Sequence, residues 1–155
     1  MWGCTNPFAP KLDENFQDVK PPVSDQKNIE GVFQNFQYAY TFKDTTIYGG
    51  LITNDFTFSF MDYDQGFDVS WGRDEEMRTT YGLFETAQKL DLIWNNIVLS
   101  TQDSLFANIV RSFNLTITFN PTDVIRVDGR VNLSLQKDVH TQKWKINRWI
   151  DESNF

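Results

Sequence analysis

The sequence has 155 residues, of which 40% are hydrophobic and 15% aromatic, and its formal net charge at pH 7 is -7. This length is typical of one domain with one core, because two independent cores would each be undersized. The acidic charge argues against nucleic acid as the main partner, since the protein would repel phosphate backbones.

Two absences in the composition narrow the kind of site that the chain can hold. The sequence contains one cysteine, Cys4, and one histidine, His140, which excludes an internal disulfide framework and a metal site with several histidines. We therefore expect no metal and no other cofactor. No apolar run approaches the roughly 20 residues that cross a bilayer, so we expect no transmembrane span.

Residues 1–23 contain four of the five prolines and little periodicity, which predicts an extended tether ahead of a domain at 24–155. The residues Trp2-Gly3-Cys4 resemble the end of a bacterial lipoprotein signal, in which the cysteine becomes lipidated. If a signal precedes Cys4, the resemblance implies a lipid anchor at the bacterial cell envelope. The alternative is that Met1 is the start, Cys4 is an ordinary thiol and the protein is cytoplasmic.

The first periodic segment predicts a helix with its N-cap at Ser24 or Asp25. Apolar residues recur there at steps of three and four, which places them on one helix face. They are Ile29, Val32, Phe33, Phe36 and Tyr40. Asp44 is placed to cap a second, short helix. Asn54 and Asp55 then predict a turn.

Two short runs of alternating aromatic residues predict a β-hairpin over residues 56–71, with its turn at 62–66. Next, Asp74 is the expected N-cap of a third helix that continues to about Gln88. Glu75 and Glu76 are interpreted as carboxylates that favour the first turn through the helix dipole. The expected core stripe of this helix is Met77, Tyr81, Phe84 and Ala87.

The remaining chain predicts four strands around residues 90–94, 107–119, 127–135 and 144–146, where apolar residues alternate with polar ones. Arg111 interrupts one inward set, and the step from Ile146 to Trp149 breaks another, so each predicts a bulge that curves the sheet. The order of elements predicts an α+β domain. Three helices in the N-terminal half would pack on a strongly curved antiparallel sheet.

This order of elements, with Tyr38-Ala39-Tyr40 on the first helix, resembles the nuclear transport factor 2-like superfamily over about residues 24–152. The closing Trp-x-Ile-x-x-Trp at residues 144–149 adds to the resemblance, which is strongest with uncharacterised bacterial lipoprotein domains. The resemblance implies a cone, in which the sheet wraps round the first helix and leaves a pocket at its wide end. Members include isomerases, cyclases, dehydratases and non-catalytic binding domains, so the fold assigns no chemistry.

An enzyme of this family would place an Asp, or an Asp and a His, on the pocket wall, where an apolar environment tunes proton transfer. His140 falls in a polar run that predicts a turn, which leaves the sequence without the usual pair. Asp55 is the one candidate acid, although an Asn-Asp pair also satisfies turn amides.

The expected pocket residues are mainly aromatic, since aromatic side chains supply apolar walls with a few polar tips. Arg111 could face a ligand carboxylate or form a structural salt bridge. The predicted set is Tyr40, Phe58, Trp94, Arg111 and Phe113.

Because the catalytic pair is missing, the sequence favours a non-catalytic envelope lipoprotein domain that binds a small apolar ligand or a partner protein. One alternative is an isomerase, cyclase or dehydratase that uses a single pocket acid, with Asp55 as the acid and Tyr40 as a hydrogen-bond donor. Another is an interaction module with a filled cone, which forms a homodimer through the sheet face.

Overall fold

The structure is a computed structural model and describes residues 21–152. The expected lipidation site at Cys4, and all of the predicted tether except residues 21–23, lie outside this part of the chain. The helices of the described part are α1 (Ile29–Phe42), α2 (Thr45–Gly49) and α3 (Arg73–Thr86). Its strands are β1 (Ile52–Asp62), β2 (Phe67–Gly72), β3 (Lys89–Gln102), β4 (Phe106–Asn120), β5 (Asp123–Lys137) and β6 (Trp144–Asp151).

The six strands form one sheet in the order β2-β1-β6-β5-β4-β3, with the helices packed on it. The α+β class predicted from the sequence is confirmed. The sheet is mixed rather than purely antiparallel, because β1 pairs with β6 in parallel. The hairpin β1–β2 and the meander β3–β6 are each antiparallel, and they meet at this parallel pair. The sheet remains open, with β2 and β3 at its edges.

The N-cap of α1 is Asn28, whose side-chain oxygen accepts the N–H of Gly31 at 2.7 Å. The caps expected at Ser24 and Asp25 are therefore wrong. Ser24 lies beside the helix instead, where its N–H donates to Asn35 Oδ1 and its hydroxyl donates to the Gly31 carbonyl, both at 2.7 Å. These bonds hold the incoming chain against α1.

Asp44 caps α2 as predicted, because its carboxylate accepts the N–H of Ile47 at 3.0 Å.

The turn predicted at Asn54 and Asp55 is wrong, since both residues lie within β1. The pairing of β1 with β6 shifts register after Ile52, and regular pairing returns only five residues later. This irregular stretch of strand accounts for the polar pair that resembles a turn in the sequence.

Helix α3 has Gly72 as its N-cap, so the cap expected at Asp74 is wrong, and the helix ends two residues before the predicted Gln88. The guanidinium of Arg73 donates to the carbonyl of Gly49 at 3.0 Å and to that of Ile52 at 2.8 Å. These bonds fix the start of α3 to the junction between α2 and β1.

The inward face of α3 is also rotated from the predicted stripe. Glu76, Thr80 and Phe84 are buried on it, whereas the side chain of Tyr81 is 56% exposed. Residues four apart share a helix face, so the carboxylate of Glu76 points the same way as the core residues of this helix.

The bulge predicted between Ile146 and Trp149 occurs in β6, whereas the extra residues near Arg111 lie in the neighbouring strand β3 and not in β4 as predicted. The pairing of β3 with β4 shifts register between Trp94 and Leu99, opposite the segment of β4 that holds Arg111. The pairing of β5 with β6 shifts between Ser134 and Leu135, where β6 has one additional residue. Extra residues of this kind bend a strand and increase its twist, which curves the sheet around the helices.

The main core lies between the helices and the inner face of the sheet, and the predicted stripe of α1 contributes to it. Other large apolar side chains are exposed on β3 and β5, among them Ile93, Val98 and Val124. The homodimer through the sheet face stays a prediction.

Among the residues that the structure describes, no helix is long and apolar enough to cross a membrane.

Candidate ligand cavity

A cavity of about 370 Å³ lies between α1, α3 and the inner face of the sheet. Its wall is mostly apolar and contains aromatic side chains from α1 and from the sheet. The polar side chains of the wall are Tyr40, Glu76, Thr79, Thr80 and Asp151. A few polar groups in a concave apolar wall are the usual composition of a site for a small organic molecule.

The aromatic wall is held together by ring contacts. Phe58 stacks on Trp71 with ring centroids 4.8 Å apart, and Trp149 meets Phe58 edge to face at 5.0 Å. Across the cavity, Trp94 packs edge to face against Phe33 at 4.9 Å, and its indole N–H donates to the carbonyl of Phe33 at 3.0 Å. These contacts fix the rings and therefore the shape of the wall.

The Glu76 carboxylate is the most unusual group of the cavity, because the residue is only 4% exposed. Three side chains donate to it: the hydroxyl of Tyr48, the indole N–H of Trp71 at 2.8 Å and the hydroxyl of Thr80 at 3.4 Å. All three donors are neutral, and Glu76 forms no salt bridge within residues 21–152. A buried carboxylate is usually paired with a cation, so this arrangement is uncommon.

Two tyrosine hydroxyls lie close to this carboxylate. Burial raises the pKa of Tyr40, and the negative charges of Glu76 and Asp151 raise it further. Burial also raises the pKa of Tyr48 well above its usual value, and the charge of Glu76 adds to the effect. Both hydroxyls therefore remain protonated near neutral pH, and that of Tyr48 donates to Glu76.

Strand β6 supplies two further polar groups to the wall, since Trp149 and Asp151 are two residues apart and line the cavity together. Asp151 pairs with Phe60 of β1, and Trp149 pairs with Phe58. The buried Nε1 of Trp149 has no hydrogen-bond partner in the described part of the chain. A buried donor without a partner is costly, which makes it a candidate contact for an acceptor on a ligand.

Four of the residues predicted for the pocket, Tyr40, Phe58, Trp94 and Phe113, lie in the wall of this cavity. Each is buried or half-buried, and each comes from a different element: α1, β1, β3 and β4. That they contact a ligand stays a prediction.

Arg111 lies outside the cavity wall, so the structure corrects its predicted place. Its Nε donates to the carbonyl of Asn95 at 2.9 Å, and its guanidinium meets the carboxylate of Glu30 at 3.3 Å. The guanidinium carbon also lies 4.8 Å from the ring centroid of Phe33. These contacts fit the structural alternative of the sequence analysis, with Glu30 of α1 as the partner.

The candidate acid Asp55 is also outside the cavity wall, because its side chain is exposed on β1. Its carboxylate accepts the hydroxyl of Thr53 at 2.6 Å. His140 is exposed in the turn between β5 and β6, as its polar neighbours predict. Neither residue is positioned to act on a molecule in the cavity.

Glu76 and Asp151 line the cavity although the sequence pattern did not predict them there. The carboxylate of Glu76 follows two other acidic residues at a helix start, a pattern that the helix dipole already explains. The signal that would have found it is its spacing of four and eight residues from Thr80 and Phe84. For Asp151, the signal is its spacing of two residues from Trp149 at the end of a strand.

The described residues contain no group of three or more His, Cys, Asp or Glu side chains that could hold a metal ion. The donors around the cavity are hydroxyl, indole and carboxyl groups. Their chemistry is suited to hydrogen bonding and to the attraction of a positive charge.

Comparison with known proteins gives the fold and no activity. The sequence matches no protein-family model, and no curated protein matches it at a significant level. Among solved structures it is similar to Kfla4162 of Kribbella flavida, with a TM-score of 0.70 and 13% identity over 84% of this chain and 91% of that chain.

Two similar structures have dehydratase names. One is a proposed scytalone dehydratase of Novosphingobium aromaticivorans, with a TM-score of 0.70 and 16% identity over 93% of this chain and 89% of that chain. The other is a proposed dehydratase of the NTF2-like family from Streptomyces avermitilis, with a TM-score of 0.65 and 13% identity over 84% of this chain and 96% of that chain. The chain therefore has the nuclear transport factor 2-like fold implied by its resemblance.

Proposed function

We propose that the domain binds a small, largely apolar organic molecule in the cavity without transforming it. The observation that carries the proposal is the cavity itself, about 370 Å³ of space between rigid aromatic walls with a few polar groups. A core that served only to stabilise the fold would be filled by its own side chains, because protein interiors are packed to crystal-like density.

The electrostatics of the cavity favour binding over catalysis. The carboxylate of Glu76 is already held by three donors, and a group fixed in this way is poorly placed to exchange a proton with a ligand. Asp55, the candidate acid from the sequence, lies outside the wall, and so does His140.

A dehydratase or isomerase activity is the second candidate, and one observation favours it. Asp151 and Tyr40 line the same cavity, and the charge of Asp151 contributes to the raised pKa of Tyr40, so the two groups interact. In such an enzyme Asp151 would move the proton and the Tyr40 hydroxyl would stabilise a developing oxyanion. The dehydratase names among the similar structures fit this candidate.

Binding is tested with the full chain and N-phenyl-1-naphthylamine, a neutral probe whose fluorescence rises in apolar surroundings. We expect saturable binding at micromolar concentrations. Val127→Phe places a larger side chain in the wall on β5 and should abolish binding, whereas Val124→Phe alters an exposed position of the same strand and should not. The proposal is refuted if the probe does not saturate, or if both variants bind it equally.

The enzymatic candidate is tested by turnover of hydroxyacyl and ketosteroid substrates. Catalysis that is lost in Asp151→Asn and kept in Asp55→Asn would support it. Absence of turnover in protein that binds the neutral probe would leave binding as the function.

We also propose, from the sequence resemblance at Trp2-Gly3-Cys4, that a lipid on Cys4 tethers the domain at a bacterial envelope. Metabolic labelling with a fatty acid in the native host tests this. We expect label in the wild-type protein and none in Cys4→Ser, and an unlabelled wild-type protein would contradict the proposal.

A further inference from the structure

We propose that the ligand of the cavity carries a positive charge, such as an ammonium group, on an apolar body. This inference rests on the proposed binding function and deepens it. Its main observation is the Glu76 carboxylate, which is 4% exposed and has three neutral donors as its hydrogen-bond partners. A buried negative charge without a cationic partner attracts a cation strongly, because the low local dielectric weakens the screening.

A second carboxylate lies in the same wall. The negative charges of Asp151 and Glu76 both raise the pKa of the Tyr40 hydroxyl, so both contribute to the electrostatic potential in that part of the cavity. No Lys, Arg or His is among the described residues that line the cavity. Two arginines described above are engaged elsewhere. Arg73 bonds to backbone carbonyls, and Arg111 pairs with Glu30. A ligand carboxylate would therefore meet no positive side chain in the described wall and would be repelled by Glu76 and Asp151.

The aromatic rings next to these carboxylates provide the other half of a cation site. Trp71 donates its N–H to Glu76, which places an indole ring directly beside the buried charge. Phe58 stacks on that ring, and Trp149, two residues from Asp151, packs on Phe58. The faces of Trp and Phe rings attract ammonium groups, so carboxylates and rings favour the same ligand charge.

The test compares three ligands that share one apolar body: 4-phenylbutylammonium, 4-phenylbutan-1-ol and 4-phenylbutanoate. Each is titrated into the full chain by calorimetry at pH 7 and by displacement of N-phenyl-1-naphthylamine. We expect the ammonium to bind at least about tenfold more tightly than the alcohol, a difference of about 1.4 kcal/mol, and the carboxylate to bind more weakly than both.

Two variants that change the net charge equally show whether the preference for the ammonium depends on Glu76. Glu76→Gln keeps the size of the side chain and should bring the affinity for the ammonium close to that for the alcohol. Glu75→Gln removes a charge from the neighbouring, exposed position of α3 and should leave the preference unchanged. Asp151→Asn provides a second measurement if Glu76→Gln does not fold, and it should reduce the preference for the ammonium.

The outcomes separate this inference from the proposed function. If the alcohol binds as tightly as the ammonium, the inference is wrong and the binding function stands. If Glu75→Gln reduces the preference as much as Glu76→Gln does, the net charge of the protein is responsible and the inference is also wrong. If no ligand binds and the neutral probe does not saturate, both fail.

Discussion

The hydrogen bond from Tyr48 to Glu76 gives a direct test of how the buried carboxylate is stabilised. Tyr48 is fully buried, and its hydroxyl donates to Glu76 Oε2. In Tyr48→Phe the ring keeps its place against Phe36 and Phe84, so the change removes one donor and little packing.

The expected cost follows from the charge of the acceptor. A hydrogen bond to a charged group contributes about 1.5–3 kcal/mol, compared with about 0.5–1.5 kcal/mol for a neutral pair. We expect Tyr48→Phe to lower the free energy of unfolding by about 2 kcal/mol. For a domain of this size, that loss lowers the melting temperature by about 4–8 °C. In a Glu76→Gln background the same change should cost about 1 kcal/mol or less, because the acceptor is then neutral.

Urea denaturation followed by tryptophan fluorescence measures both free energies. Tyr81→Phe is the matched control, since it removes a hydroxyl from a side chain that is 56% exposed, and it should stay within about 0.5 kcal/mol of the wild type. The reasoning is refuted if Tyr48→Phe also stays within that range. Equal costs in the two backgrounds would show that the charge of Glu76 is not what the hydroxyl stabilises.

Three further predictions concern other parts of the domain. The raised pKa values of Tyr40 and Tyr48 mean that the folded state keeps protons which the unfolded state loses above its pKa of about 10. These groups should therefore leave the free energy of unfolding unchanged below about pH 9. Above pH 10 it should fall by up to about 1.4 kcal/mol per pH unit for each tyrosine. Urea denaturation at several pH values measures this, and a flat profile would contradict it. Gln26→Ala should lower the free energy of unfolding by about 2–3 kcal/mol, because this buried side chain makes three hydrogen bonds that link α1, α2 and β6. A loss below about 0.5 kcal/mol would be inconsistent with that role. Asp55→Asn should leave probe affinity unchanged within twofold, since its carboxylate lies outside the cavity, and a larger loss in the titration would return Asp55 to the site.

The sequence predicted the fold because periodicity is a local signal. The stripe of α1, the cap at Asp44 and the hairpin over residues 56–71 each depend on residues close together in the chain. The parallel pairing of β1 with β6 depends on segments about 90 residues apart in the chain, which no local pattern reports. The same limit explains the errors at Ser24, which bonds to Asn35 of α1, and at Asp55, which lies where the pairing of β1 with β6 is irregular.

The sequence predicted several apolar residues of the cavity wall and missed its buried carboxylate. Tyr40, Trp94 and Phe113 follow from large rings at inward positions, and the cavity wall contains them. Glu76 was assigned to the helix start because one local cause already explained it. Its role depends on Tyr48 and Trp71, which approach from other elements, so the buried carboxylate becomes visible only in three dimensions.

The most direct test of the account is a crystal structure of the full chain grown with 4-phenylbutylammonium. We predict that the ligand lies in the cavity, with its ring against the aromatic wall and its nitrogen within about 4 Å of a carboxylate oxygen of Glu76 or Asp151, the distance of an ion pair. A cavity closed by its own side chains, with no ligand inside, would contradict the central claim.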